Sequence, residues 1–147
     1  MLRTVRAEPM SVRILVVDDH PMIRRDLRLL LEGHEDWQVC GEAVDGIDAI
    51  EKHRLLRPNL VVMDVSMPAM NGLDASLDIL KETPSILILL CTSYLTHELI
   101  EEAHNAGIRG TVSKEMIQLV PVAIEALLRG EEFSGPSKSP KQPPPGR

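Results

Sequence analysis

The sequence predicts an α/β fold, a doubly wound five-stranded parallel sheet with helices on both faces. Three observations carry that prediction. Short apolar runs alternate with amphipathic stretches along most of the 147 residues. Several runs, such as "LVVM" and "ILILL", are apolar at every position, as strands covered on both faces require. Apolar residues make up 44% of the chain and aromatics only 2%, so the interior is Val, Leu, Ile, Ala and Met, enough for the core of one domain.

The first strand is "RILVVDD" (13–19). In the next segment, "PMIRRDLRLLLEGH", Ile23, Leu27, Leu30 and Leu31 recur at helical spacing. Pro21 opens that helix, where its missing N–H costs nothing. "WQVCGEA" (37–43) is the second strand, and "DGIDAIEKHRLLR" the second helix, with a less regular stripe of Ile47, Ile50 and Leu55. "NLVVMDV" (59–65) and "SILILLCTS" (85–93) are the third and fourth strands, with helical "NGLDASLDILKET" between them. "THELIEEAHNAG" supplies the fourth helix, "RGTVSK" (109–114) the fifth strand and "QLVPVAIEALLRG" the last helix. Pro121 is tolerated there if the helix begins between Gln118 and Val120, which leaves "KEMIQ" as loop. Gly33, Gly107 and Gly130 stand near helix C-termini, where a left-handed residue is wanted.

These elements divide the chain into an extension (1–11), expected to be disordered, a folded domain (12–130) and a tail (131–147). The tail is rich in Pro, Ser and Lys and is expected to stay disordered for want of apolar area to bury. The sequence accommodates a start at Met1 or at Met10 equally well.

Composition excludes several function classes. A net charge of −6 lacks the basic face of a non-specific nucleic-acid binder, so no direct DNA binding by this chain is expected. No apolar run approaches the ~20 residues that cross a bilayer, and no h-region of a secretory signal precedes the first strand. Cys40 and Cys91 lie inside apolar segments without a CxxC, as reduced, buried residues of a cytoplasmic protein do. No G-x-G-x-x-G follows the first strand, which sets dinucleotide binding aside.

The informative residues are those that end the apolar runs, because loops at the carboxyl ends of parallel strands converge on one crevice. The first strand ends in Asp18 and Asp19, the third in Asp64, the fourth in Thr92 and Ser93, the fifth in Lys114. Each has a plain structural role open to it. Asp19 is a favourable N-cap, Thr92 can satisfy backbone at a strand end, and Lys114 can be solvated. Asp64 is harder to explain so, since a lone charge in an apolar run is costly. Together the set fits a phosphoryl-accepting aspartate. Carboxylate is a competent nucleophile, and phosphoryl transfer asks mainly for positioning and charge neutralisation. Adjacent carboxylates ask for a cation, and hard oxygen ligands favour Mg²⁺. Lys114 would then neutralise one phosphoryl oxygen while the Thr92 hydroxyl bonds another.

At these residues the chain resembles the response-regulator receiver domains of two-component phosphorelays, over about residues 12–130. The likeness rests on "DD" (Asp18, Asp19), "MDVSMPAMNG" after the acceptor Asp64, "LLCTS" (Thr92) and "GTVSK" (Lys114). It implies a flavodoxin-like strand order 2-1-3-4-5. It also implies Mg²⁺ held directly by Asp19, Asp64 and the backbone carbonyl of Ser66, with Asp18 acting largely through water. The implied function is a phosphorylation-dependent switch, not an enzyme beyond its own phosphorylation and dephosphorylation. A sensor histidine kinase or phosphotransfer protein would supply the phosphoryl group, and output would pass by contact to a downstream protein or a homodimer partner. The closing "AIEALLRGEEFSGP" is similar to the end of NarL-type receivers, where a linker and a helix-turn-helix domain usually follow.

Two positions depart from the family pattern. Thr111 stands three residues before the lysine where receivers carry Tyr or Phe, and Ser93 replaces the usual small residue after the threonine. The expectation is that Thr92 still moves towards the phosphoryl group while the surface response is weaker or uses Tyr94. Two alternatives remain: a pseudo-receiver that only binds, and a Mg²⁺-dependent haloacid-dehalogenase-like phosphatase. The latter needs D-x-D, and the residue two after Asp64 is Ser66.

Overall fold

The computed structural model describes residues 11–135. The N-terminal extension and most of the tail expected from sequence therefore fall outside the described residues. Strands β1 (Val12–Val17), β2 (Trp37–Ala43), β3 (Leu60–Met63), β4 (Leu87–Thr92) and β5 (Gly110–Ser113) alternate with helices α1 (Pro21–Glu32), α2 (Gly46–Leu56), α3 (Gly72–Glu82), α4 (His97–Ala106) and α5 (Val120–Leu128). A short sixth strand, β6 (Phe133–Ser134), follows. All pairings are parallel, in the order β2-β1-β3-β4-β5-β6.

Period-two alternation along each strand sends side chains to two separate cores. Ile14, Val16, Leu60, Val62, Leu89, Cys91 and Val112 face α1 and α5, packing on Leu27, Leu31, Ile124 and Leu127. Leu15, Val17, Val61, Met63, Ile88 and Leu90 face α2, α3 and α4, packing on Ala49, Ala75, Ile79 and Ala103. That is why these runs are apolar throughout.

The expected helix-start chemistry is present, with changes of detail. Pro21 and Pro121 sit in the first turns of α1 and α5. The N-cap of α1 is His20, whose side chain makes no capping bond, so Asp19 is not used as a cap. Asn71 caps α3 and Thr96 caps α4, through Asp74 N–H at 2.8 Å and Leu99 N–H at 3.1 Å.

Four expectations need correction. The buried face of α2 is Gly46, Ala49 and His53, while Ile47 and Leu55 are exposed, because α2 packs against α3 and brings His53 Nε2 to 3.1 Å from the Thr83 hydroxyl. Gly33 is right-handed (φ −70°), since the chain continues the helical turn there through His34 N–H to the Leu31 carbonyl. Gly107 (φ 96°) and Gly130 (φ 84°) are left-handed as expected, and Arg57 (φ 52°) adopts the same conformation after α2. "KEMIQ" is not loop but belongs to a 3-10 segment, Lys114–Leu119, broken at Met116, with Ser113 Oγ accepting from Glu115 N–H at 3.1 Å. Finally, the first residues of the expected tail are ordered, because β5 would otherwise present an open sheet edge and residues 133–134 pair with it.

Two glycines let helices press on the end of β3 and on the loop that follows it. A Cβ on Gly72 would lie 1.7 Å from the Asp64 carbonyl oxygen, and one on Gly46 would lie 2.5 Å from the Met70 carbonyl oxygen. The backbone uses that closeness: Gly72 N–H donates to the Val65 carbonyl at 2.8 Å, and Gly46 N–H to the Met70 carbonyl at 3.0 Å. Gly72→Ala forces α3 away from the end of β3. Its expected cost is roughly 2–3 kcal/mol by urea unfolding, and a loss below about 0.5 kcal/mol would contradict this packing.

Candidate functional site

Strand register assembles the site. Val17 lies opposite Met63 in the β1–β3 pair, so Asp18 and Asp64 follow side by side, and Asp64 N–H donates to the Val17 carbonyl at 2.9 Å. Thr92 lies opposite Ser113 in the β4–β5 pair, and Lys114 comes next. The β1–β3 junction is also where strand order reverses, the topological switch point of such sheets.

Lys114 Nζ lies 2.6 Å from Asp18 Oδ2 and 3.2 Å from Asp64 Oδ1, with all three side chains at most 10% exposed. The other Asp18 oxygen accepts His20 N–H at 2.9 Å. Thr92 is buried at the end of β4, and its hydroxyl oxygen accepts from Tyr94 N–H at 3.4 Å. Ser66 is exposed in the loop after Asp64. That loop contains Ala69 at φ 67°, a left-handed conformation rare for a residue with a side chain.

Electrostatics follow from burial. Asp64 is pushed up to about 6, first by loss of hydration and then by the Asp18 charge, with Lys114 opposing both. Burial alone would lower Lys114, but its hydrogen bond to Asp18 and the charges of Asp64 and Asp18 hold it above its ordinary value. Cys91, on β4, is pushed up to about 12 by burial and is inert as a nucleophile. Both cysteines are free, Cys91 buried and Cys40 half-buried.

The donor set suits a hard divalent cation. Asp19 Oδ1 is buried and has no hydrogen-bond partner. His20 Nδ1 lies 3.1 Å from it at ion-pair distance. Ligand atoms of Asp18, Asp19 and His20 lie within 4.8 Å of one another. A buried carboxylate oxygen that accepts no hydrogen bond, in an acidic cluster, offers a cation a ligand. Asp64 stands outside that group and is joined to Asp18 through Lys114.

Sequence reasoning passed over two residues. His20 joins the acidic cluster, and its place directly after the pair was the available signal. Arg24 donates to the Asp18 carbonyl at 2.8 Å and to Glu42 Oε1 at 2.8 Å, tying α1 to the tips of β1 and β2. Only its position one helical turn after His20 hints at that.

A raised Asp64 means the folded state binds this proton more tightly than the unfolded chain does. Its contribution is therefore lost as pH rises from about 4 to about 6, and above that the ionised carboxylate destabilises the metal-free fold. Asp64→Asn should stabilise the metal-free protein by on the order of 2 kcal/mol near pH 8, with the gain vanishing near pH 4. Urea titrations at the two pH values check this; equal gains at both would contradict it.

A family model described as the response regulator receiver domain matches residues 14–121. Among curated proteins, the uncharacterized transcriptional regulatory protein YxjL of Bacillus subtilis is 34% identical over 123 residues, covering 82% of this chain and 56% of YxjL. The chemotaxis protein CheY of Thermotoga maritima is 36% identical over 105 residues, covering 71% of this chain and 87% of CheY. A crystal structure of a LuxR-family two-component response regulator from Aurantimonas sp. superposes with a TM-score of 0.80 at 33% identity, covering 84% of this chain and 89% of that one. The chain spans about half the length of YxjL and of a VraR relative. With the flavodoxin-like strand order and the acidic site at the switch point, these matches establish that the chain belongs to the response regulator receiver domain family.

Proposed function

We propose that this domain is a phosphorylation-dependent signalling switch that accepts a phosphoryl group on Asp64. One observation carries the reading: a buried lysine bridges Asp18 and Asp64 at the tips of the sheet. Nothing structural requires a buried Lys–Asp–Asp cluster there, and such clusters mark sites where charge is to be handled.

The donor is a phosphohistidine on a sensor histidine kinase or phosphotransfer protein. An Asp64 carboxylate oxygen forms a bond to phosphorus as the phosphorus–nitrogen bond breaks, and the electron pair leaves on the imidazole. Lys114 neutralises a phosphoryl oxygen, and the Thr92 hydroxyl donates to another. Asp18, Asp19, Asp64 and the Ser66 backbone carbonyl would hold Mg²⁺, whose positive charge offsets repulsion between the anionic donor and the carboxylates. The elevated Asp64 value fits this use, because ionisation becomes favourable once a cation is bound.

The chemistry is confined to the chain's own carboxylate, so the protein is a switch rather than an enzyme with a separate substrate. Output passes to a downstream protein, to a second copy of the chain, or to a segment beyond this domain. The net charge of −6 disfavours direct DNA contact by this domain. No helix among the described residues is long and apolar enough to cross a membrane, and a cytoplasmic site of action is consistent with two free cysteines. The pseudo-receiver alternative predicts the same fold without phosphoryl uptake, and a phosphatase lacks its second Asp at Ser66.

Incubation with Mg²⁺ and acetyl phosphate, read by intact-protein mass, separates these readings. The expected result is a gain of one phosphoryl group in the wild type, none in Asp64→Asn, and none when Mg²⁺ is chelated. Lys114→Ala is expected to slow uptake on the order of 100-fold. Absence of any gain in the wild type supports the binding module, and uptake by Asp64→Asn points to another residue.

A further inference from the structure

The chain does not leave the domain freely after α5. It turns back, and Phe133 lies opposite Gly110 and Ser134 opposite Thr111 along the edge of β5. The attachment is short, with Gly135 buried beside Thr111 and Val112 and Glu132 3.3 Å from His104 Nδ1. Phe133 N–H donates to the Arg109 carbonyl at 3.0 Å, Gly135 N–H donates to the Thr111 carbonyl at 2.7 Å, and the Thr111 and Ser134 hydroxyls lie 3.3 Å apart. Phe133 packs partly on the core shared with β4 and α5, and borders an open cleft of about 400 Å³ with His97, Ile100 and His104. It therefore has both a seat and room to leave it.

The same four-residue strand ends at the site. Within β5, Ser113 lies opposite Thr92, and Lys114 follows directly. Thr111 is buried, so its hydroxyl meets the exit strand inside the fold rather than in solvent. A displacement of β5 is felt at its edge, where a two-residue exit strand opens at a lower cost than global unfolding.

We propose that β6 is a latch, closed on Thr111 while Asp64 is free and released when Asp64 carries a phosphoryl group. This rests on the phosphoryl reading above and adds its readout. The phosphoryl oxygens draw Lys114 and the Thr92 hydroxyl inward, β5 shifts with them, and the register at Gly110 and Thr111 that seats β6 is lost. The chain's exit at Gly135 then changes path with the state of the site, in place of the muted response expected from Thr111 alone. Coupling is reciprocal, so a chain with a weakened latch binds the phosphoryl group more tightly.

The test uses the full chain, with and without beryllium fluoride and Mg²⁺, followed by NMR amide exchange and by titration. Loading is scored independently by shifts of the Val65 and Lys114 amides. In the loaded protein the Phe133 and Gly135 amides are expected to exchange about tenfold faster. Phe133→Ala, a half-buried position outside the site, is expected to bind beryllium fluoride about threefold more tightly. A loaded protein whose two amides exchange unchanged or more slowly overturns the latch alone. So does a Phe133→Ala variant with equal or weaker affinity. Failure of both proteins to load overturns the phosphoryl reading and the latch with it.

Discussion

Lys114 reaches from the end of β5 to Asp18 and Asp64, and this ammonium bridge joins the tips of three strands. Two carboxylates this deeply buried repel each other and lose hydration, so the fold holds them only because a positive charge sits between them. The bridge is nevertheless incomplete. One lysine balances one of the two charges, and Asp19 adds a third carboxylate with an oxygen that no hydrogen bond satisfies. The site is thus built with unmet demand for positive charge. That demand explains why Asp64 resists ionisation in the metal-free protein and why a cation should change its behaviour.

The surrounding structure keeps the cluster in place. Parallel register aligns the strand ends, so residues far apart in sequence arrive together without any local motif specifying their contact. Gly46 and Gly72 allow α2 and α3 to close on the backbone of the 65–71 loop, and Arg24 ties α1 to the Asp18 carbonyl. On the far side, Ser113 ends β5 and caps the following turn, fixing the direction in which Lys114 leaves the strand. Positioning of this kind leaves little reorganisation to be done when charge arrives.

Much of this was legible in the sequence because burial on both faces leaves a strong pattern. The five long strands, the proline-led starts of α1 and α5, and the polar residues at strand ends all follow from period, punctuation and the cost of buried charge. What escaped depended on partners distant in sequence. The face of α2 is set by its fit to α3, so Ala49 and His53 are buried while the larger Ile47 and Leu55 are not. Gly33 carried a C-cap signal that the chain did not use, and Arg57 adopted a left-handed conformation that its residue type does not announce. The ordering of Phe133 and Ser134 escaped for the same reason, because the composition around them is that of a tail and only the open edge of β5 gives them a place. At the site, Asp19 could be read as a helix cap until His20 was found in that position.

Burial and the Asp18 charge outweigh Lys114 at Asp64, which leaves a carboxyl that a bound cation would bring back down. A ¹³C NMR titration of the Asp64 side chain, without metal and then with saturating Mg²⁺, measures this directly. The expected midpoint is near 6 without metal, with a clear fall once Mg²⁺ is bound. A midpoint at or below the usual carboxylate range in both conditions would contradict it.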